Sequence, residues 1–419
     1  MLIAAYIILA VVIVLVVCQT AAVSAFVWQL LRFRRDPAAP PPQDAPLPKA
    51  AVILSLRGPD PYLHVTLQAL QELDYPDYEI HMIVDSESDP VWEDIRRALG
   101  TNESNVVTKV LRNPAPTCSL KCSALAQAVR ELGDDIEVVA FVDGDAVPHR
   151  DWLRDLVAPL SEPGVGVVTG NRWFVPRNVN WGTLVRYFWN VGAVVQVWLN
   201  GIVWAGSMAM RRDVIDRIGL LDAWGRALSV DATICRQLRK HNLRVQFAPG
   251  VMMANREDIG LKKFVGWVQR QLVAAKSCGP NWRIVALHAL SLTGSQLAAF
   301  IMLLAALLTG NANAVVVALC AIVAYWSSAA ISTLATEFAV RRVLRGNMDQ
   351  ASWPRAAWVA FVPALALTHI AYPYALLGAY SQRRVSWRGV DYVIRGVNDV
   401  EMCGYQPYRK QSDVTESVV

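Results

Sequence analysis

The sequence predicts an α/β fold: a mostly parallel sheet flanked by helices, joined to transmembrane and interfacial helices. Three observations predict it. From residue 50 onward, short apolar runs alternate with segments of helical spacing, the pattern of parallel strands and crossover helices. One such run, Ile136 to Val142, stops abruptly on Asp143-Gly144-Asp145, as a buried strand does when it delivers acids to its carboxyl edge. Long stretches without any charged side chain lie on both sides of the alternating region.

In chain order, Met1 to Leu31 holds no charge and is long enough to span a bilayer. It lacks the basic start and short apolar core of a cleavable signal, so residues 1–33 are expected to form an anchor. Residues 34–49 read as a stiff Pro-rich linker, with six prolines between Asp36 and Lys49. Residues 50–258 read as the α/β domain. Its expected strands are Ala51 to Leu56, Tyr78 to Val84, Val106 to Leu111 and the run ending at Asp143. Its expected helices cover Leu63 to Leu73, Pro90 to Leu99 and Ser119 to Leu132. Within this domain, 181–204 is apolar but carries Arg186, Asn190, Gln196 and Asn200, which suits an amphipathic interfacial segment better than a span.

Residues 259–283 mix Lys262, Lys263, Arg270 and Lys276 with Phe264, Trp267, Val268 and Leu272, the make-up of a helix lying in the headgroup layer. Residues 284–382 form a C-terminal membrane region. Gly310 to Asn313 divides its first part into spans near 284–309 and 314–336. The stretch 356–380 contains Pro363 and Pro373 and either crosses or re-enters. Residues 383–419 are a basic tail, polar and loose from Gln406.

Arg32, Arg34 and Arg35 follow the first span, and Arg341, Arg342 and Arg345 follow the third. The positive-inside rule then places the α/β domain in the cytoplasm. The Ala- and Arg-rich composition suits a bacterial inner membrane, with Golgi or ER as the eukaryotic counterpart. Of 419 residues, 54% are hydrophobic and 18% charged, and the apolar excess is concentrated in the membrane stretches. The net charge of +5 gathers near the spans, and no basic–aromatic run points to nucleic acid. Seven cysteines are scattered, and Cys118 with Cys122 lacks the second ligand pair of a zinc site.

The chemistry rests on acids. Asp143 and Asp145, one residue apart, suit a hard divalent cation that in turn holds a diphosphate. Asp85 and Asp89 follow the second expected strand and can accept from a nucleotide's base or ribose; a helix cap explains them equally. Asp231 falls in the first turn of a helix, where the dipole stabilises it and where it can serve as a general base. Gly206-Ser207 can bring backbone amides to a phosphate, and Lys121 can pair with a phosphate or a base edge.

The order of these acids, followed by an Arg-bearing interfacial helix and spans, resembles membrane-bound family 2 glycosyltransferases. The closer resemblance is to the ceramide glucosyltransferases and their bacterial relatives of family 21. It is carried by Leu56-Arg57-Gly58-Pro59-Asp60-Pro61, Glu72-Leu73-Asp74-Tyr75-Pro76-Asp77-Tyr78-Glu79, Ser88-Asp89-Pro90, Gly206-Ser207-Met208, Arg211-Arg212-Asp213-Val214 and Ser386-Trp387-Arg388-Gly389. The resemblance implies a GT-A type catalytic domain. It implies a UDP-sugar donor, Mg²⁺ or Mn²⁺, and inverting transfer of a hexose, glucose by analogy, to a membrane lipid such as ceramide.

By that resemblance Asp89, with Asp85 as rival, binds the nucleotide, Asp143 holds the metal, Asp231 is the base and Arg270 meets the diphosphate. Two positions depart from the family. Its Q/R-x-x-R-W motif stands here as Trp267-Val268-Gln269-Arg270-Gln271, and Val230 replaces the usual Glu before the base. Two other readings fit the pattern: a processive polysaccharide synthase of family 2, and a non-catalytic membrane scaffold or lipid-binding protein. The sequence leaves the oligomeric state open.

Overall fold

The computed structural model describes residues 1–33, 47–100, 105–276, 281–344 and 355–408. The linker from 34 to 46, Arg345 and the end of the tail from 409 lie outside the described residues. The chain opens on α1 (Leu2–Arg32), then alternates through β1 (Ala50–Leu56), α2 (Leu63–Gln71), β2 (Tyr78–Val84), α3 (Val91–Leu99), β3 (Val106–Val110), α4 (Leu120–Arg130) and β4 (Val138–Val142). These are the strands and helices expected from the apolar spacing. Then come α5 (Trp152–Val157), β5 (Val165–Thr169), β6 (Arg172–Phe174), α6 (Trp181–Leu199), β7 (Ser207–Arg211), α7 (Arg212–Arg217), α8 (Leu220–Trp224), α9 (Val230–Lys240), β8 (Arg244–Phe247) and β9 (Met253–Asn255).

Seven strands form one sheet in the order β3-β2-β1-β4-β7-β5-β8. β1, β2, β3 and β4 run parallel, β5 pairs parallel with β8, and β7 alone runs antiparallel to its neighbours β4 and β5. Its strands are near-continuous apolar runs because helices cover both faces. One face packs Ala51, Ile53, Val139 and Phe141 on α4 and α8, and the other packs Val52, Leu54, Ala140 and Val142 on α2, α3 and α5. The parallel strands β1, β2 and β4 all point their carboxyl ends the same way, towards Arg57, Asp85 and Asp143. That is the edge where open α/β sheets receive ligands.

The membrane part follows as α10 (Leu261–Lys276), α11 (Asn281–Leu308), α12 (Ala312–Val343), α13 (Arg355–Val359) and α14 (Phe361–Ser381). Among the described residues, four helices are long and apolar enough to cross a membrane: Leu2–Arg32, Trp282–Leu308, Ala312–Val343 and Phe361–Ser381. Glu337 of α12 ties this part to the α/β unit, accepting from Trp173 Nε1 at 3.1 Å and Tyr187 Oη at 2.9 Å. α6 is not surface-bound. Its Arg186 and Asn190 are buried, Arg186 donating to the Glu257 carbonyl and Asn190 accepting from the Phe174 amide at 3.2 Å. The two ends of α14 sit beside α6 and α10. Phe361 packs on Phe188 of α6, ring centroids 4.8 Å apart, and Lys276 Nζ reaches the Tyr380 carbonyl at 2.8 Å.

The described part of the basic tail forms strands. β10 (Arg384–Trp387), β11 (Val390–Gly396) and β12 (Asp399–Cys403) make an antiparallel sheet. It docks on the α/β unit through Met402 N to the Pro116 carbonyl, 2.7 Å, and Tyr392 Oη accepting from Leu120 N, 3.2 Å. Gln406 to Tyr408 continue this docking. Polar composition suggested mobility there, but Arg57 and Asp85 supply the partners that hold the segment.

Candidate active site

β4 ends between β1 and β7, so Asp143 emerges at the centre of the sheet. Lys121, in the first turn of α4, donates to Asp143 Oδ1. Arg172 of β6 donates to Asp143 Oδ2 at 2.9 Å and to both oxygens of Asp145 at 3.2 Å. Asn255 of β9 adds a bond to Asp145 Oδ2 at 3.2 Å. β6 and β9 pair side by side, which is how Arg172 and Asn255 arrive together. Burial works to raise the Asp143 carboxyl, but the Lys121 and Arg172 charges outweigh it and hold the group below its ordinary value. Burial raises Asp145, with the Asp143 charge reinforcing it and Arg172 opposing.

Asp231 lies in the first turn of α9, whose N-cap Ser229 accepts from Ala232 N at 3.2 Å. Its Oδ1 accepts from Ala205 N at 2.8 Å. Burial pushes the carboxyl up to about 6, Lys121 and the Ala205 bond opposing and Asp143 reinforcing. Asp143, Asp145, Asp231, Lys121, Gly206, Trp267 and Arg270, all expected from the sequence, line a single cavity of about 790 Å³. Trp267 forms its aromatic wall, edge-on to Phe174 at 5.6 Å and Trp189 at 5.3 Å. Arg270 has no ion-pair partner among the described residues, stacks over Trp387 at 5.8 Å, and is drawn down to about 10 by burial and then by the charges of Arg388 and Arg172. A buried cation without a partner is costly unless an anion meets it.

Three expected residues stand elsewhere. Ser207 is buried, its hydroxyl between Trp152 Nε1 and the Val251 carbonyl at 2.9 Å each, and its amide bonds the Trp204 carbonyl. Asp89 caps α3, accepting from Val91 N and Gly58 N at 2.9 Å. Asp85 takes Arg57, Tyr405 Oη at 3.4 Å and Tyr408 N at 2.9 Å. Neither of these two acids lines the cavity; Arg57, which they help to hold, does. Gly58, at φ +69, has no room for a side chain, since a Cβ would lie 2.6 Å from the Tyr408 ring.

Sequence reasoning missed Arg172, Asn255, Arg57 and Arg388 as site residues. Arg388 donates to the Arg57 carbonyl at 2.7 Å and to Asp60 at 3.2 Å. Only the motif context of Arg57 and Arg388 carried a signal. No spacing ties Arg172 to Asp143, because β6, paired with β9 outside the seven-stranded sheet, reaches the end of β4 only through tertiary folding.

The donor set can be tested for a divalent cation. Two carboxylates converge, and among the described residues no third His, Cys, Asp or Glu completes a cluster. That fits an ion which takes one or two carboxylates and fills its shell with water and substrate phosphates. Arg172 occupies the same oxygens and would have to yield them to such an ion.

This site belongs to a recognisable class. The family model for glycosyl transferase family 21 matches residues 8–399, so the chain belongs to that family and is a glycosyltransferase. Glycosyltransferase AglE of Haloferax volcanii is 26% identical over 178 residues, 41% of this chain and 56% of that protein, so the match spans about half of the relative's length. A solved mannosyltransferase from Pyrobaculum calidifontis, in complex with GDP-Man and Mn²⁺, covers 89% of this chain and 97% of its own at 20% identity and TM-score 0.46. Glucosyl-3-phosphoglycerate synthase from Mycobacterium tuberculosis, with Mn²⁺, UDP and glucosyl-3-phosphoglycerate, covers 55% of this chain and 80% of its own at 15% identity and TM-score 0.36. Both structural likenesses are too distant to carry an inference.

Proposed function

We propose an inverting transfer of a hexose, glucose by the family resemblance, from a UDP-sugar to a hydroxyl of a membrane lipid. The single observation that carries this is the cavity. It holds a carboxylate poised near neutrality, Asp231, and an unpaired Arg270, and it continues from them between apolar helices. When bound at Asp143 and Asp145, Mg²⁺ or Mn²⁺ would offset negative charge on the diphosphate. Arg270, and Arg172 once released from the acids, meet the diphosphate oxygens as charge grows on the leaving nucleotide. Arg57, fixed by Asp85, lies on the nucleoside side. Asp231 takes the proton of the acceptor hydroxyl, whose oxygen attacks the anomeric carbon opposite the departing UDP. The basic ends of α1 and α12, Arg32 with Arg341 and Arg342, favour a cytoplasmic catalytic unit in a bacterial inner membrane.

The deciding experiment incubates the full chain in lipid nanodiscs with a panel of UDP-sugars and lipid extract, followed by mass spectrometry. A lipid heavier by one hexose supports the reading. A sugar polymer, or no sugar-bearing product, sinks it. Arg172→Gln is expected to raise the Mn²⁺ affinity of donor-free protein on the order of tenfold, since one charge-assisted competitor is gone. Loss of the free Mn²⁺ signal in electron paramagnetic resonance reads this directly, and an unchanged affinity would show that Arg172 does not compete.

A further inference from the structure

One polar side chain in the cavity wall has no part in the steps above. Asn171 follows β5, stands next to Arg172, and is only 6% exposed. Its Oδ1 accepts from Arg172 N at 2.9 Å. An N–H meets the oxygen of an amide, not its nitrogen, so this bond fixes which end is which and turns the NH₂ away from that peptide. Nδ2 has no hydrogen-bond partner. A buried donor left unmatched is unfavourable, and it calls for a guest that accepts.

The amide is held in place. Met253 N donates to the Asn171 carbonyl at 3.0 Å, and at Gly170 a Cβ would lie 2.1 Å from the Val251 carbonyl oxygen. A group fixed in this way can discriminate between guests. Its surroundings indicate which guest it meets. Three contacts converge on Ala205-Gly206-Ser207. Asp231 Oδ1 accepts from Ala205 N at 2.8 Å, Asp143 N donates to the Gly206 carbonyl at 3.4 Å, and Gly170 N donates to the Ser207 carbonyl at 2.9 Å. Asn171 thus adjoins the stretch that links Asp143, at the diphosphate end, to Asp231, the base. In an inverting transfer the group lying between those two is the sugar. The diphosphate end already has Lys121 and Arg172, to which a neutral amide adds little. A sugar hydroxyl accepts, carries no charge, and gives up water as it enters.

We propose that Asn171 is a specificity residue for the donor, its NH₂ donating to one hydroxyl oxygen of the bound hexose. The proposal rests on the UDP-sugar reading above. Calorimetric titration of the full chain in nanodiscs, with Mn²⁺ and no acceptor lipid, tests it. The titrants are UDP, the UDP-hexose that the parent binds tightest, and analogues of it lacking one hydroxyl each. In the parent, one of these deletions is expected to weaken binding about three- to tenfold, the range of a single neutral hydrogen bond. Asn171→Leu keeps the branched shape and removes the donor. It is expected to bind UDP as the parent does, to bind the UDP-hexose about three- to tenfold more weakly, and to be indifferent to that same deletion. The UDP affinity guards against a misfolded variant, and the analogue series on the parent needs no variant at all. A parent indifferent to every deletion, or a penalty that persists in Asn171→Leu, overturns the assignment. Equal weakening of UDP and the UDP-hexose in the variant overturns it too, since the amide would then serve the diphosphate or the fold. A parent that binds no UDP-sugar overturns the donor reading and this assignment with it.

Discussion

Asp231→Asn is expected to lower kcat about 10²–10⁴-fold, the contribution of a positioned general base, while nucleotide affinity stays within about twofold. Asn keeps the size and can still accept from Ala205 N, so the first turn of α9 should hold. What is lost is a group that takes a proton. In the parent, kcat/KM should rise with pH through about 6 and level off above it, because the base must be ionised. The charged groups that set this midpoint are Lys121, Asp143 and Arg172. Single-turnover rates for the variant, with nucleotide titration beside them, decide the matter. Turnover within tenfold of the parent would remove Asp231 as base.

Asp143→Ala is the second large effect, and it strikes binding and stability together. Asp143 neutralises Lys121 and shares Arg172 with Asp145. Without it Lys121 has no other ion pair among the described residues. Breaking a buried pair costs about 3–5 kcal/mol; the Asp143 side chain is 21% exposed, which argues for a smaller loss, on the order of 2 kcal/mol. Asp145→Ala should cost less, since Arg172 keeps Asp143. Thermal unfolding in detergent is expected to rank the parent above Asp145→Ala, and that above Asp143→Ala. Donor binding should weaken most in the last. Equal melting of the two variants would mean that Asp143 is not the anchor of the cluster.

The first half of the sheet was legible because β1, β2 and β4 are buried on both faces and read as unbroken apolar runs. β5, β7 and β9 were not. Ser207-Met208-Ala209-Met210-Arg211 has weak strand character of its own and is a strand because β4 and β5 flank it. β11 was hidden by its charges: Val390 and Tyr392 face inward while Asp391 and Arg395 face out, an alternation that a count of basic residues overlooks. At the site, the carboxylates announced themselves by ending a strand. Their cations did not, since Arg172 and Arg388 reach Asp143 and Asp60 only through tertiary folding. Asp85 was singled out for nucleotide contact, yet its carboxylate is engaged by Arg57 and the tail. A sequence shows that an acid lies at a strand end; it does not show what already occupies it.

Trp387, Arg388 and Tyr392 line the cavity, and they follow all four candidate membrane spans in chain order. A nascent chain therefore carries Asp143, Asp145 and Asp231 before it has a closed pocket. The enclosure is finished only when α14 lies beside α10 and the three final strands settle on the Pro116 loop. A chain stopped after Ser381 should insert and fold yet retain nucleotide poorly; parental affinity in that truncated product would show that these strands do not close the pocket.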